Sequence, residues 1–290
     1  MPAFDPVADS VQTISLLGIP FDANSSYLRG PAQAPKAIRE ALYSDSSNLW
    51  TEDGIDLDRK NSFHDAGDVA IPEDGNAAFA AIEAAVNQTL NLGHPLICLS
   101  GDHSVTYPTI KAFHSHYSDL TILHFDAHPD LYDELDGNRL SHACPFARIM
   151  EERLAGRLVQ VGIRTMSGHQ LSLANRFGVE VIAMRNLDRF SQLSFEAPLF
   201  ISLDVDVLDP AFAPGISHYE PGGMSVREVL RCIQGLTVPV AGADIVEYNP
   251  TRDLHGQTAM VCAKFLKEIA AAMLRNGKDK NDKLAPGVWP

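Results

Sequence analysis

Seven apolar runs recur along the chain, at 13–20, 95–100, 121–126, 157–164, 179–184, 199–206 and 239–247. Several are continuous rather than alternating, the pattern of strands buried on both faces. Helical periodicity fills the gaps. In 76–92, Phe79, Ile82, Val86 and Leu90 share one face, and Gly93 and Pro95 end the segment. Stretches 106–117, 144–154, 169–178 and 225–236 follow the same logic. In 258–274, Val261, Phe265, Ile269 and Met273 recur every fourth residue. This strand–helix alternation predicts one α/β domain over residues 1–275, with a mostly parallel, doubly wound sheet. Residues 276–290, polar with Pro and Gly, read as a loose tail.

Composition narrows the function classes. Lys and Arg total 23 against 37 Asp and Glu, a formal net charge of −14. That excess argues against nucleic acid or an anionic membrane as a partner and favours a small cationic ligand. No run approaches the roughly 18 apolar residues of a membrane span. The first residues, "MPAFDPVADSVQ", lack the basic and apolar regions of a secretory signal. Cys98, Cys144, Cys232 and Cys262 are scattered without a CxxC pair. The expected setting is therefore reducing and cytoplasmic.

In open α/β sheets, ligands sit beyond the carboxyl ends of the strands. Four predicted strands end in acids or imidazoles. One runs into Asp102 and His103, another into Asp126, His128 and Asp130. A third runs into Asp204, Asp206 and Asp209, and the last ends at Glu247. Extended chain repeats its side-chain direction every second residue. Asp126, His128 and Asp130 then share one face, as do Asp204 and Asp206. A single strand-end Asp is often only a cap or turn residue, the reading given to Asp102 and Asp209. The larger set is different: four carboxylates at one rim would force upward pKa shifts unless cations lie between them. Two divalent ions sharing carboxylates satisfy the set. Oxygen and nitrogen donors without thiolate suit Mn²⁺ best, and Ni²⁺, Co²⁺, Fe²⁺ and Zn²⁺ are compatible.

The stretches "SGDHSVTYP", "HFDAHPDLYD", "SLDVDVLDPAFAPG" and "GADIVEYNP" resemble the ureohydrolase family of arginases, agmatinases and related amidinohydrolases. "NSSYLRGPA", "SHACPFARIME" and "DPAFAPGISHYEPGG" are most similar to plant-type arginases and their bacterial relatives. The resemblance implies a three-layer α/β/α domain, a homotrimer or homohexamer, and two Mn²⁺ per subunit. It implies Asp126 and Asp204 as shared ligands. His103 and Asp130 would complete one ion, His128 and Asp206 the other. The implied reaction is hydrolysis of a guanidino substrate to urea and an amine. The resemblance implies that Asp130, Glu247 and His142 would form the catalytic set, with Glu247 pairing the guanidinium and His142 moving protons.

Substrate choice is less sharply marked. Tyr132, Ser217 and His218 are pocket-edge candidates. Animal-type arginases carry Asn where Tyr132 stands, and Gly where Ala143 follows His142. The four motif stretches hold no Arg or Lys to pair a substrate carboxylate, so Arg29, in a loop with Asn24, Ser25 and Ser26, is the candidate. L-Arginine is the first expectation, with agmatine or another small guanidino compound as the alternative. A non-catalytic subunit would be expected to have lost ligands. A one-metal deacetylase would leave His103 unexplained.

Overall fold

The computed structural model describes residues 13–59, 62–195 and 198–276. The start of the chain and the predicted tail from residue 277 lie outside them. Among the described residues, one sheet holds eight strands in the order β2-β1-β3-β8-β7-β4-β5-β6. These are β1 (Ile14–Ile19), β2 (Phe63–Asp68), β3 (Leu96–Ser100), β4 (Thr121–Phe125), β5 (Arg157–Ile163), β6 (Glu180–Ala183), β7 (Leu199–Asp204) and β8 (Val240–Val246). Every pairing is parallel. All seven expected strands are present, and the sheet is fully rather than mostly parallel.

Helices cover both faces. α1 (Ala34–Leu42), α6 (Val226–Gln234) and α7 (Gln257–Asn276) pack over one core through Ile38, Val229, Phe265 and Ile269. α2 (Gly75–Leu90), α3 (Thr106–His114) and α4 (Pro145–Glu151) pack over the other through Phe79, Ile82, Phe113 and Phe146. α5 (Gly168–Phe177) adds Ala174 to that second core. This is the three-layer arrangement that crossovers of a parallel sheet produce.

One strand carries no apolar signal. β2, "FHDAGD", is an edge strand paired only to β1, and all but its first residue are exposed. Arg39 of α1 holds it by bonding both Asp65 and Asp68. Charge on an edge strand discourages pairing with other chains and also erases the periodicity that would reveal the strand.

Strand order and register decide the site. β3, β8, β7 and β4 are the four central strands. Leu99, Ile245, Leu203 and Phe125 pair in one straight row across them. The chemistry-bearing residues follow directly after this row, on strands about 4.8 Å apart. Gly101 brings the β3 end close to its neighbour: a Cβ there would meet the Phe21 carbonyl oxygen at 1.8 Å. That close approach lets Asp102 N donate to Phe21 O at 2.8 Å.

Candidate metal centre

Neither acidic motif stays extended. β4 ends at Phe125, and Asp126 Oδ1 accepts from His128 N at 2.6 Å, folding the chain back. β7 ends at Asp204, whose Oδ1 accepts from Asp206 N at 2.8 Å. The shared face expected from strand geometry is therefore made by side-chain-to-backbone turns. The physical reason is reach. Alternate residues of a strand stand about 6–7 Å apart, whereas the ligand atoms here lie within 4.8 Å of one another. Asp130 and Glu247 sit at φ 47° and 62°, the left-handed region that non-glycine residues avoid. Such strain costs about 1–3 kcal/mol and persists where surrounding structure imposes it.

His103 Nδ1 lies 3.0 Å from Asp130 Oδ2, 3.1 Å from Asp204 Oδ2 and 3.4 Å from Asp126 Oδ2. Yet this buried nitrogen makes no hydrogen bond. Its tautomer follows from the other side of the ring. Ser202 Oγ donates to Asp244 Oδ1 at 2.8 Å, so it accepts from His103 Nε2–H at 3.1 Å. Nδ1 is then left with a lone pair aimed at three carboxylates. Only a proton or a cation relieves that arrangement. Burial opposes a proton, but the three carboxylates hold the His103 pKa well above its ordinary value. A divalent ion meets the same demand with the imidazole neutral.

A second group adjoins the first. His128 Nδ1 lies 3.0 Å from Asp206 Oδ2 and 3.4 Å from Asp126 Oδ1. Asp126 belongs to both groups. Burial would raise its pKa, but His124, His103 and His128 hold it well below the carboxylate range. Burial, Asp206 and Asp126 push Asp204 well above that range. Asp206 is pushed up to about 6 by burial and Asp126, against the pull of His128. Like-charge crowding of this kind is what cations neutralise.

His124 was not singled out in the sequence. Its Nε2 lies 2.7 Å from Asp126 Oδ2, while Gln160 Nε2 contacts Nδ1 at 3.0 Å and bonds Pro129 O at 2.6 Å. The available signal was its position two residues before Asp126 on one strand face.

Beside these groups is a cavity of about 310 Å³. Its wall includes His128, Asp130, Asp204, Asp206, His142, Glu247, Tyr132 and His218, so ten predicted residues, counting buried His103 and Asp126, converge on one place. Glu247 Oε1 accepts from His103 N and pairs with His142 Nδ1, both at 2.9 Å. Burial opposes it, but His142 keeps Glu247 below its ordinary pKa. In return Glu247 raises His142 to about 9 against burial, helped by Asp130 and Asp102. The Tyr132 ring stacks 6.1 Å from His169, and His218 lies 5.2 Å from the His142 ring.

Two candidates lie elsewhere. Arg29 bonds Ala23 O at 2.6 Å and pairs with Asp22 at 3.4 Å, with its side chain 58% exposed. Its own loop supplies nearer acceptors than the cavity does. Ser217 is buried, and its hydroxyl accepts from Asn249 Nδ2 at 2.9 Å. Neither lines the cavity, and among the described residues no Lys or Arg does. Asp102 caps the turn at His103–Val105, and Asp209 accepts from Ala211 N and Gly222 N, as expected for both.

Comparison with known proteins gives a consistent result. The arginase family model matches residues 12–272. "Arginase 1, mitochondrial" of Arabidopsis thaliana is 45% identical over 274 residues, 89% of this chain and 80% of that one. The agmatinase of Bacillus subtilis (strain 168) is 32% identical, covering 90% of this chain and 91% of that one. The solved arginase of Medicago truncatula superposes with a TM-score of 0.85 at 42% identity, covering 91% and 88% of the two chains. One expectation is overturned. Plant relatives are named mitochondrial or chloroplastic/mitochondrial, so the inference of a cytoplasmic setting fails. All four cysteines are indeed free and buried, but buried thiols argue only against an oxidising environment and do not choose among reducing ones. Among the described residues, no helix is long and apolar enough to cross a membrane.

Proposed function

The chain belongs to the arginase family, and from that premise we propose that it hydrolyses L-arginine to L-ornithine and urea. Its single catalytic domain would span residues 1–275 in a homotrimer or homohexamer. The observation that carries the reading is His103 Nδ1, a buried lone pair facing three carboxylates beside a cavity closed by Glu247.

His103, Asp126, Asp130 and Asp204 would hold one divalent cation. His128 and Asp206 would hold the second, sharing Asp126 and Asp204. Manganese suits these donors first, then nickel or cobalt. Bound there, the pair would lower the pKa of water toward neutrality and so supply a nucleophile.

The protein's own groups do the rest. With the four aspartates balanced by two divalent ions, Glu247 is the carboxylate left in the cavity wall to favour a planar cation. Glu247 Oε1 is occupied by His103 N and His142. Its Oε2, without a hydrogen-bond partner among the described residues, is free to accept from guanidinium N–H groups and orient the carbon for attack. The departing amine needs a proton, which His142 supplies. Glu247 fixes Nδ1–H because an ionised carboxylate only accepts, so the exchangeable proton belongs to Nε2.

One observation favours a second substrate. Among the described residues, no Lys or Arg lines the cavity to pair an α-carboxylate, which suits agmatine. Urea release from arginine and agmatine, measured with Mn²⁺-loaded and Ni²⁺-loaded protein, separates the two. The expected result is a higher kcat/KM for arginine. A preference for agmatine reverses the assignment within the class, and no turnover of any guanidino compound removes the class.

A further inference from the structure

Residues 22–30 form a loop that the reaction just described leaves unused, yet it is tied down at several points. Asp22 Oδ2 accepts from Gly30 N at 2.7 Å and Ala32 N at 3.2 Å. Asn24 N donates to the buried Asp102 carboxylate at 2.9 Å, and Asn24 O accepts from His142 N at 3.2 Å. Asn249 Nδ2 donates to Arg29 O at 3.2 Å. Gly30, at φ 139°, permits that approach, since a Cβ there would meet Asn249 Oδ1 at 2.1 Å. These anchors leave Ser26 at the cavity wall, with its Oγ 2.8 Å from His142 Nε2.

Ser26, His142 and Glu247 thus form a hydrogen-bonded row of the kind that activates a serine nucleophile. The charge state argues otherwise. Glu247 favours the protonated imidazole, so Nε2–H donates and Ser26 Oγ accepts; a protonated imidazole cannot take the hydroxyl proton. Exposure suggests a different role. His142 is 8% exposed, whereas Ser26 is an exposed residue. The hydroxyl therefore stands between the buried exchangeable proton and water.

We propose that Ser26 is a positioning residue that aligns His142 Nε2 and relays its proton between the buried ring and the solvated cavity. This rests on His142 acting as the acid in the proposed reaction. In the step, the Nε2–H bond breaks as a new O–H bond forms at Ser26 Oγ, and the original hydroxyl proton passes to the nitrogen of the departing amine. The hydroxyl is neutral before and after. The reverse sequence returns a proton from water to Nε2. A hydroxyl serves both states of the ring because it donates and accepts. The charged and titratable groups facing His142 are Glu247, Asp130, Asp102 and His218, and all are unchanged by substitution at Ser26.

The test uses Ser26→Ala and Ser26→Thr in the full-length, Mn²⁺-loaded chain, with arginine turnover followed across the alkaline range. Ser26→Ala is expected to lower kcat roughly tenfold or more with KM little changed, a part of the ~10²–10⁴ that general acid catalysis contributes. Its high-pH limb should move to lower pH, because the protonated ring loses an acceptor. Ser26→Thr, which keeps the hydroxyl, should restore most of the rate. In parallel, nitrogen NMR of histidine-labelled protein should show the His142 Nε2 signal displaced in Ser26→Ala alone. Wild-type kcat in Ser26→Ala at every pH, or an unmoved Nε2 signal, overturns the proposal. A wild-type chain inactive on every guanidino compound overturns the underlying reading instead, and the NMR signal then decides the hydroxyl–imidazole coupling by itself.

Discussion

Asp126→Asn is expected to lower urea release at least on the order of a thousand-fold, an effect of about 4 kcal/mol in the barrier. Asparagine keeps the volume but removes the charge that both ligand groups share. It also puts an NH₂ where donors now converge. Asp126 Oδ1 accepts from His128 N at 2.6 Å, and Oδ2 lies 2.7 Å from His124 Nε2. One of these contacts would face a donor against a donor. The turn that brings His128 toward Asp206 would loosen, and both ions would lose a ligand. Assay at saturating Mn²⁺, with thermal denaturation alongside, separates lost chemistry from lost folding. Activity within tenfold of wild type would show that Asp126 is not shared between two cations.

His142→Asn should lower kcat by roughly 10²–10⁴, the usual contribution of a positioned acid, with a smaller change in KM. Asparagine can still offer an N–H to Glu247 but cannot carry an exchangeable proton. The pH behaviour gives a second readout. Against burial, Glu247 raises the His142 pKa from 6.5 to about 9, with Asp130 and Asp102 adding to it. A group raised in the folded state adds stability that is complete below its unfolded pKa and is lost as pH rises through the folded value. The stability gap between wild type and variant should therefore narrow as pH rises from near 6.5 toward about 9. Over the same range the alkaline limb of wild-type kcat should appear, and it should be missing in the variant. An unchanged alkaline limb in His142→Asn would assign the titration to another group.

What could be read from the chain alone follows from burial. β1, β3, β4, β7 and β8 are buried on both faces, so their sequences are mainly apolar runs, with Ser15, His124, Ser202 and Asp244 buried inside them, and the acids that follow the runs mark the carboxyl edge of the sheet. That logic points to seven candidates, His103, Asp126, His128, Asp130, Asp204, Asp206 and Glu247, whereas His142, Tyr132 and His218 are marked only by the family resemblance. The order β3-β8-β7-β4 then explains why four separate strand ends make one site. β2 escaped because an exposed edge strand needs no apolar face. The two acidic motifs do come together, though not through the shared strand face that spacing suggests: a carboxylate that captures a backbone N–H two residues on draws the chain tighter than a strand allows. Arg29 has the charge to pair a carboxylate and a loop that could reach the cavity mouth, but its position is settled by Asp22 and the Ala23 carbonyl in that same loop. Ser26 lay in the same quoted stretch, but its pairing with His142 spans 116 residues and depends on the loop anchors. No local pattern encodes such a contact.

His103, Asp126, His128, Asp130, Asp204 and Asp206 would together hold two cations. Elemental analysis of the Mn²⁺-loaded, desalted full-length chain tests this most directly. Two divalent ions per chain, falling below two in Asp126→Asn, is the predicted result. One ion or none bound to the wild-type chain would contradict it.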